Sequence, residues 1–390
     1  MDFALTPEQH AFKQEIRAFL EQELAHETVM EDGWIAGFSL EFSRKLGAHG
    51  WIGLTWPKKH GGQEKTYLDR VILTEELLRA GAPVAAHWLG DRQVGPALLA
   101  YGSEEQKAEI LPRLTKGEIV FCLGMSEPGA GSDLASLRTK AVEEGDHFVI
   151  TGQKIWTSFA HVADYVYLVA RTDSHVPKHK GISEFLIDMK LPGITVRPLV
   201  DITGEHHFNE VFFDSVRVPK RWLIGEKNRG WYQIASQLDY ERSGIERLLS
   251  NYPLFRDTIK YAQETGLTTD PLVRNQLAQL QIELEMGRLL VYRVAWMLTK
   301  GGVPNYEAAM AKCFCTEVEQ RIAQTVSSLL GDYAVLLPGP PAGRAGSPAA
   351  RLAGRAAREY LYAPAYTIQG GTSNILRNIM AIRGLGLQAG

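Results

Sequence analysis

The chain contains little cysteine, and this excludes a fold held together by disulfide bonds. Only Cys122, Cys313 and Cys315 occur among 390 residues, which is too few for a disulfide framework. Cys313 and Cys315 are two residues apart in a segment with helical periodicity, so their thiols point to different faces. We expect all three to be small buried hydrophobic side chains.

A metal centre is not indicated by the arrangement of possible ligands. Two histidine pairs stand out, His206 with His207 and His175 with His179. No cysteine or carboxylate cluster joins either pair at the spacing of a zinc site. The sequence therefore predicts no metal site, and it predicts that these histidines lie on the surface.

Excess charge and long apolar runs are absent as well. The formal net charge is −3 at pH 7, and there is no basic patch to attract nucleic acid or an anionic membrane. No apolar run approaches the length needed to span a membrane, and residues 1–5 lack the features of a signal peptide. We therefore expect a cytoplasmic protein with no nucleic-acid partner and no membrane insertion.

The distribution of apolar residues predicts an α+β protein with three regions. Residues 1–120 are predicted to be helical and to start with a capping box formed by Thr6 and Gln9. Residues 121–225 contain short β-branched and aromatic runs divided by turn residues, which is typical of a β domain. Residues 226–390 return to long amphipathic patterns. The predicted elements are helices at 67–79, 104–114, 231–248, 271–299, 305–330 and 373–383, and strands at 147–150, 165–169, 184–188 and 211–213.

Two short segments hold the most specific pattern in the chain. The first signature segment, 125–133, reads Met-Ser-Glu-Pro-Gly-Ala-Gly-Ser-Asp, and the second, 152–158, reads Gly-Gln-Lys-Ile-Trp-Thr-Ser. The proline and glycines exclude a helix interior and let backbone N–H groups approach a ligand, while the serines supply hydroxyl donors. Trp156 adds an aromatic plate. Together the segments suit a bound flavin, although a glycine-rich surface turn remains the alternative for the first segment alone.

An acidic residue falls on an apolar helix face. Glu241 lies on the same predicted stripe as the apolar residues Trp231, Ile234, Leu238, Ile245 and Leu248. Burying a carboxylate is costly unless it is paired or protonated. Two explanations are open, a structural ion pair, for example with Arg247, or a catalytic acid–base group.

The two signature segments resemble those of the acyl-CoA dehydrogenase family, and the resemblance extends over nearly the whole chain. It implies an N-terminal helical domain, a middle β-barrel or sandwich domain and a C-terminal four-helix bundle. It also implies FAD as the cofactor and an acyl-CoA as the substrate. Ser126 and Ser158 would contact flavin heteroatoms, and Ser132 would lie near both the cofactor and the acyl-CoA. Further cofactor contacts are implied at Leu123, Met125, Gly131, Trp156 and Thr157.

By the same resemblance, the catalytic base has moved. In most family members a glutamate directly precedes the Gly-Thr-Ser of a C-terminal motif, and Gly370 holds that position here. A branch that includes isovaleryl-CoA dehydrogenase-like enzymes places the glutamate on the first long C-terminal helix, before an arginine. Glu241 followed by Arg242 matches that branch. The implied reaction removes the α-proton with Glu241 while a hydride leaves the β-carbon for flavin N5, giving a trans-2-enoyl-CoA.

Neighbouring residues acquire roles from the same resemblance. Asp239 and Arg242 are three residues apart and by default form a helix salt bridge, but the family places them on the substrate side. The backbone N–H of Gly370 would donate to the thioester carbonyl, with Gly371 beside the substrate. A capped helix start without a ligand is the alternative for the motif as a whole. Contacts with the FAD diphosphate or ribose are implied at Gln369, Thr372 and Asn374.

One family feature is absent, and this affects the expected assembly. An Arg-x-x-Phe-Gly segment, whose arginine reaches the FAD of a neighbouring subunit, is replaced by the sequence of residues 264–271. Arg274 either substitutes for that arginine or lies exposed on the next helix. We expect a homo- or hetero-oligomer, a dimer or tetramer, with an electron-transferring flavoprotein as acceptor. An acyl-CoA oxidase or flavin monooxygenase, and a non-catalytic or half-site subunit of a heteromer, remain alternatives.

Overall fold

The computed structural model describes residues 3–25, 31–241, 244–336 and 349–388. Within these ranges it also describes the side chains, except those of residues 236–241 and 350–351. The helices in these ranges are α1 (Pro7–Glu23), α2 (Leu40–Ala48), α3 (Tyr67–Arg79), α4 (Ala85–Leu89), α5 (Gly95–Tyr101), α6 (Glu104–Thr115), α7 (Gly230–Glu241), α8 (Glu246–Leu249), α9 (Tyr252–Glu264), α10 (Pro271–Thr299), α11 (Tyr306–Leu330), α12 (Ala350–Tyr366) and α13 (Ser373–Ile379). The strands are β1 (Phe121–Gly124), β2 (Lys140–Glu144), β3 (His147–Lys154), β4 (Tyr165–Arg171), β5 (Ile182–Asp188), β6 (Ile194–Leu199), β7 (Phe208–Pro219) and β8 (Leu223–Ile224).

The chain forms two compact units. The helical unit comprises Met1–Gly37, Thr66–Pro83 and Arg242–Gly390, and the sheet unit comprises Phe38–Lys65 and Val84–Glu241. Helices α1, α3 and α8–α13 belong to the helical unit, whereas the other helices and all eight strands belong to the sheet unit. The division of the chain at residues 120 and 225 stays a prediction.

The helical unit is built around a bundle of α9–α12. Helix α11 packs against α10, α12 and α13, and the small residues Ala309 and Cys313 of α11 meet Leu376 of α13. The start of α10 is fixed by Asp270, whose carboxylate accepts a hydrogen bond from the N–H of Leu272 at 2.8 Å. Side-chain capping of this kind satisfies a backbone donor that the helix itself leaves unpaired.

The sheet unit contains a mostly antiparallel sheet. Its strand order is β6-β7-β3-β2-β4-β5-β8, and β1 pairs in parallel with β4. Phe148 of β3 and Phe185 of β5 meet edge to face in the core, with ring centroids 5.0 Å apart. All three cysteines of the chain are buried, as predicted.

The predicted α+β class and the helix–sheet–helix order are confirmed. Helix α1 starts with the predicted capping box, in which Gln9 N donates to the Thr6 hydroxyl at 3.2 Å and Thr6 N donates to the Gln9 side chain at 3.1 Å. Helices α3 and α10 have the predicted bounds, and α6 and α11 differ from them by one residue. No helix in the described part of the chain is long and apolar enough to cross a membrane.

The predicted helix 231–248 is wrong in its extent. Helix α7 ends at Glu241, and α8 begins only at Glu246. Ile245 and Leu248 therefore do not continue the stripe of α7. The interruption includes Gly244, and glycine is a poor helix residue because it gives up more conformational freedom than any other.

Two helices of the bundle, α9 and α12, were not predicted. The buried face of α12 consists largely of alanines, including Ala353, Ala356 and Ala363, and such small residues contrast weakly with polar neighbours. Its last turn also contains Pro364, which usually argues against a helix interior. At the end of the chain, α13 is shorter than predicted, and a π-helical turn at Met380–Gly384 continues it.

Candidate active site

The two signature segments lie side by side in the sheet unit. The first follows β1, and the second ends β3 and enters the next loop. Ile155 N donates to the carbonyl of Ser126 at 3.0 Å, and Lys154 Nζ donates to the carbonyl of Met125 at 2.9 Å. The two signature segments, which the sequence analysis combined only as a pattern, are therefore in direct hydrogen-bonded contact.

A buried ion pair that the sequence reasoning missed fastens the two segments together. Lys154 is fully buried, and its ammonium lies 2.9 Å from Oε1 of Glu127. The Glu127 carboxylate also accepts from the N–H groups of Arg138 at 2.6 Å and Thr139 at 2.9 Å. Burial lowers the pKa of Lys154 to about 8. Opposite charges within two segments already suspected of binding a ligand were the available signal for this pair.

The glycine-rich loop of the first segment leaves its backbone open. Glu127 and Ala130 exchange two backbone hydrogen bonds of 3.0 Å, which close a turn. A Cβ atom built on Gly129 or Gly131 would meet nothing within 4 Å. Ser132 is exposed just beyond. The backbone here is therefore open on the side where the glycines lack a side chain, and half-buried Leu123 and Met125 lie immediately before it.

The second segment presents an aromatic plate beside an unsatisfied hydroxyl. Trp156 is 55% exposed, and its ring is braced edge-on by Phe208 at 5.7 Å. The hydroxyl of Thr157 is buried without a hydrogen-bond partner among the described residues, and Ser158 is half-buried. Buried hydroxyls normally find a partner. An exposed ring with an orphaned donor beside it fits a flat polar cofactor such as a flavin.

In the helical unit, the C-terminal motif forms a tight turn that needs glycine. Gly370 and Gly371 have φ angles of +66° and +102°, which other residues rarely adopt. Lys312 of α11, fully buried, donates to the carbonyls of Tyr366 at 3.0 Å and Gly371 at 2.8 Å. The sequence reasoning missed Lys312, because only the fold shows that its position on α11 faces this turn.

The remaining residues of the motif differ in their surroundings. Thr372 caps α13, and its hydroxyl accepts from the N–H of Ile375 at 3.2 Å. The side-chain amide nitrogen of Gln369, Nε2, is buried and has no hydrogen-bond partner within the described part of the chain. Asn374 is exposed. The unpaired side-chain amide of Gln369 could donate to a polar cofactor. The Thr372 hydroxyl could donate as well, because its oxygen accepts the capping hydrogen bond and its hydrogen is not used in that bond.

The predicted base lies at the carboxyl end of α7. Glu241 is the last residue of that helix, and the side chains of Glu241 and Asp239 lie outside the described residues, as does the whole of Arg242. The start of α7 is fixed by Gln233, whose amide donates to Glu184 of β5 at 2.6 Å and to the carbonyl of Ile224 at 3.2 Å. Burial raises the pKa of Glu184 to about 7.

Arg274 lies on the surface, whereas His207 is buried. Arg274 is exposed in the first turn of α10 and donates to the carbonyls of Thr268 at 3.2 Å and Thr269 at 3.4 Å. The prediction that the noted histidines lie on the surface is wrong for His207, which is only 4% exposed, because it lies where the chain enters the inner strand β7. Across the described ranges, no group of three or more His, Cys, Asp or Glu side chains is arranged to hold a metal ion.

Comparisons with known proteins cover nearly the whole chain. Family profiles described as the N-terminal, middle and C-terminal domains of acyl-CoA dehydrogenase match residues 6–118, 122–216 and 228–385. Acyl-CoA dehydrogenase FadE26 of Mycobacterium tuberculosis is 34% identical over 99% of each chain. The solved structure of the Tcur3481-Tcur3483 steroid ACAD matches with a TM-score of 0.90 and 34% identity over 100% of both chains. The ChsE4-ChsE5 complex of Mycobacterium tuberculosis matches with a TM-score of 0.85 and 33% identity, again over 100% of both chains. This chain belongs to the acyl-CoA dehydrogenase family.

Proposed function

We propose that the chain is an FAD-dependent acyl-CoA dehydrogenase that uses Glu241 as its base and produces a trans-2-enoyl-CoA. The observation that carries the proposal is the Lys154–Glu127 ion pair at 2.9 Å. It fastens a glycine loop with open backbone to an exposed tryptophan plate. A buried ion pair stabilises little by itself, so its value lies in holding two binding segments in one geometry.

The residues of the two signature segments would hold the flavin. Trp156 offers the ring face, while the orphaned Thr157 hydroxyl and the hydroxyls of Ser126 and Ser158 offer hydrogen bonds. When bound, FAD supplies the acceptor for the hydride that leaves the β-carbon. Leu123, Met125, Gly131 and Ser132 would complete this part of the site, and Gln369, Thr372 and Asn374 would contact the diphosphate or ribose.

Glu241 would take the α-proton of the thioester. The sequence supports this role, because Glu241 stands directly before Arg242, as in the branch that carries the base on this helix, while Gly370 replaces the acid of the C-terminal motif. A positioned carboxylate is a suitable general base for removing a proton from carbon. Asp239 and Arg242 would lie on the substrate side.

Gly370 would polarise the thioester carbonyl through its backbone N–H. A donor fixed before the reaction stabilises the negative charge that develops on the carbonyl oxygen as the proton leaves. Lys312 supports this role, since its ammonium binds the carbonyls at both ends of the turn that carries Gly370. Gly371, the next residue, would lie beside the substrate.

The assembly and the substrate follow from the comparisons together with the missing arginine segment. One similar solved structure is a complex of ChsE4 with ChsE5, and another, called a steroid ACAD, carries the two names Tcur3481 and Tcur3483. We therefore infer a heteromer in which a second, homologous chain supplies the missing FAD contact. Acyl-CoAs with a bulky steroid-linked acyl group belong among the first substrates to test, and an electron-transferring flavoprotein is the proposed acceptor.

Anaerobic flavin bleaching tests the proposal directly. The full chain, purified alone and with a co-expressed homologous chain, is mixed with a panel of short, branched, long and steroid-linked acyl-CoAs. Loss of the flavin absorbance with formation of an enoyl-CoA is expected for at least one substrate. Peroxide in stoichiometric yield under air would instead favour the oxidase or monooxygenase alternative. No bleaching with any substrate, despite bound FAD, would favour the non-catalytic subunit.

A further inference from the structure

The loop that carries the tryptophan plate is in a conformation that its sequence does not favour. Trp156 and Phe159 both have positive φ angles, +62° and +59°. Non-glycine residues rarely adopt such angles, and bulky aromatic residues do so only where the surrounding structure holds them. The loop Trp156–Phe159 therefore needs restraint from outside itself.

Three consecutive residues at the start of β7 supply that restraint. The carbonyl of His207 accepts from Phe159 N at 2.7 Å, and Phe208 braces the ring of Trp156. Asn209 exchanges two hydrogen bonds with Thr157. Thr157 N donates to the backbone carbonyl of Asn209, and the Asn209 side-chain amide donates back to the Thr157 carbonyl, both at 3.0 Å.

Both the oxygen and the nitrogen of the Asn209 side-chain amide form hydrogen bonds. Asn209 is fully buried. Its Nδ2 donates to the carbonyl of Thr157, which can only accept, so Oδ1 is the atom that faces His206 Nε2 at 2.9 Å. Nδ2 also lies 3.1 Å from His161 Nδ1 and 3.4 Å from the carbonyl of His207, so its second hydrogen faces two acceptors. His206 must carry a proton on Nε2, because the amide oxygen that it faces can only accept.

The two imidazoles support the amide from one side. The rings of His161 and His206 stack with centroids 4.3 Å apart. Together with Asn209 they line a surface pocket. Without the amide, water could enter from this pocket and compete for the Thr157 carbonyl. The loop geometry therefore depends on a side chain that lies outside both signature segments.

We propose that Asn209 is a positioning residue for the Trp156 ring: by holding Thr157 in place, it keeps the neighbouring Trp156 in its left-handed conformation before the cofactor binds. The link to flavin rests on the proposed function, whereas the restraint on the loop does not. Preorganisation of this kind improves cofactor affinity because the loop need not be ordered on binding. In the proposed site Asn209 contacts neither the flavin nor the substrate, and it acts only through Thr157.

Asn209→Asp is the sharpest variant, because the carboxylate is nearly isosteric but has no hydrogens to donate. It keeps the acceptor toward His206 and removes the donors toward Thr157 and His161. Asn275→Asp, at an exposed position of α10, makes the same change of charge in the helical unit and serves as the matched control.

The first readout needs no cofactor. The full-length apoprotein is labelled with 5-fluorotryptophan, and the Trp156 signal is assigned through Trp156→Phe. Asn209→Asp should shift or broaden that ¹⁹F resonance and leave the other tryptophans unchanged, while Asn275→Asp should have no effect. An unchanged Trp156 signal in Asn209→Asp would overturn the proposal.

The second readout is FAD affinity, measured by quenching of flavin fluorescence. Asn209→Asp should weaken binding by about tenfold, as expected for losing one or two hydrogen bonds that maintain a binding conformation. Bleaching at saturating FAD should be largely retained. If FAD does not bind the wild-type chain, with or without its homologue, the proposed function fails, while the ¹⁹F result still decides the role of Asn209.

A measurement on the wild-type apoprotein covers the case in which the variant does not fold. Hydrogen exchange should show the amides of Thr157 and Phe159 protected without FAD, since both donate to residues 207–209. Exchange as fast as in an unstructured peptide would mean that the cofactor, and not Asn209, orders the loop, and the proposal would be wrong.

Discussion

Gly370 lies against the guanidinium of Arg247. A Cβ atom added to Gly370 would come within 2.9 Å of Arg247 Nη2. Arg247 is 5% exposed, and its guanidinium lies over the ring of Trp34 at 4.7 Å. A buried cation therefore lies directly beside the position where most family members carry their catalytic glutamate.

This contact predicts that a glutamate returned to position 370 is a poor base. In a Glu241→Gly background, Gly370→Glu must adopt a positive φ and places its carboxylate beside Arg247. A cation at that distance lowers a carboxyl pKa by about 1–3 units, and misplacement costs up to about 10²-fold in rate. We expect less than about one hundredth of the wild-type bleaching rate, measured anaerobically.

Adding Arg247→Met to that double variant supplies the control. Without the cation, the pKa of the new carboxyl rises, so bleaching should become faster at high pH. The acid limb of its pH profile should move upward by about 1–3 units. Near-wild-type bleaching by the Gly370→Glu, Glu241→Gly variant with Arg247 intact would contradict this reading.

The buried carboxyl of Glu184 predicts a pH-dependent free energy of unfolding in the sheet unit. Burial raises its pKa to about 7 from an ordinary 4.5, so between these values the folded state binds a proton that the unfolded state does not. The stabilisation is complete below the unfolded pKa and is lost as the pH rises through 7. Its upper limit is about 3 kcal/mol.

Glu184→Gln should remove this dependence. The amide can still accept from Gln233, whose donor lies 2.6 Å from Glu184 in the wild type. Urea titrations from pH 5 to 8 should therefore show the variant gaining on the wild type as the pH rises. Glu285→Gln, at an exposed position of α10, should run parallel to the wild type. A constant difference between Glu184→Gln and the wild type would refute the assignment.

The missing arginine segment predicts weak FAD binding by the lone chain. Loss of one charged contact to a diphosphate removes about 1.5–3 kcal/mol, which lowers affinity tenfold or more. The structure offers no obvious replacement in Arg274, because its guanidinium is hydrogen-bonded to the turn before α10. We expect substoichiometric FAD after gel filtration of the isolated chain and full occupancy after co-expression with a homologue. One tightly bound FAD per lone chain would be incompatible with this expectation.

Local rules predicted much of the fold. The Thr6 cap of α1 and the start of α10 at Asp270–Pro271 depend on only a few adjacent residues. The long helices α10 and α11 show a strong helical periodicity of apolar residues. The end of α7 at Glu241 was not predicted, because the apolar pattern continues past Gly244, and the alanine-rich helix α12 was not predicted, because its buried face differs little in hydrophobicity from its polar neighbours. A stripe of apolar residues cannot show by itself whether one helix or two carry it.

The residues of the candidate site also fall into those that the local sequence predicted and those that only the fold revealed. Residues within the signature segments were predicted because glycine, serine and tryptophan at fixed spacing carry their chemistry locally. Asn209 supports the second signature segment, whereas Lys312 and Arg247 contact the turn of the C-terminal motif, each from a distant part of the sequence. Such support depends on contacts between elements, which no local pattern reports.

The central claim is that Glu241 removes the α-proton, and the Glu241→Gln variant tests it most directly. The amide is nearly isosteric but cannot accept a proton, and a positioned base contributes about 10²–10⁴-fold to the rate. The measurement is the anaerobic bleaching rate of the FAD-loaded variant with the best acyl-CoA of the panel, against the wild type at equal FAD occupancy. We predict retained FAD and a rate lower by at least about 10²-fold. Bleaching at close to the wild-type rate would show that another group is the base.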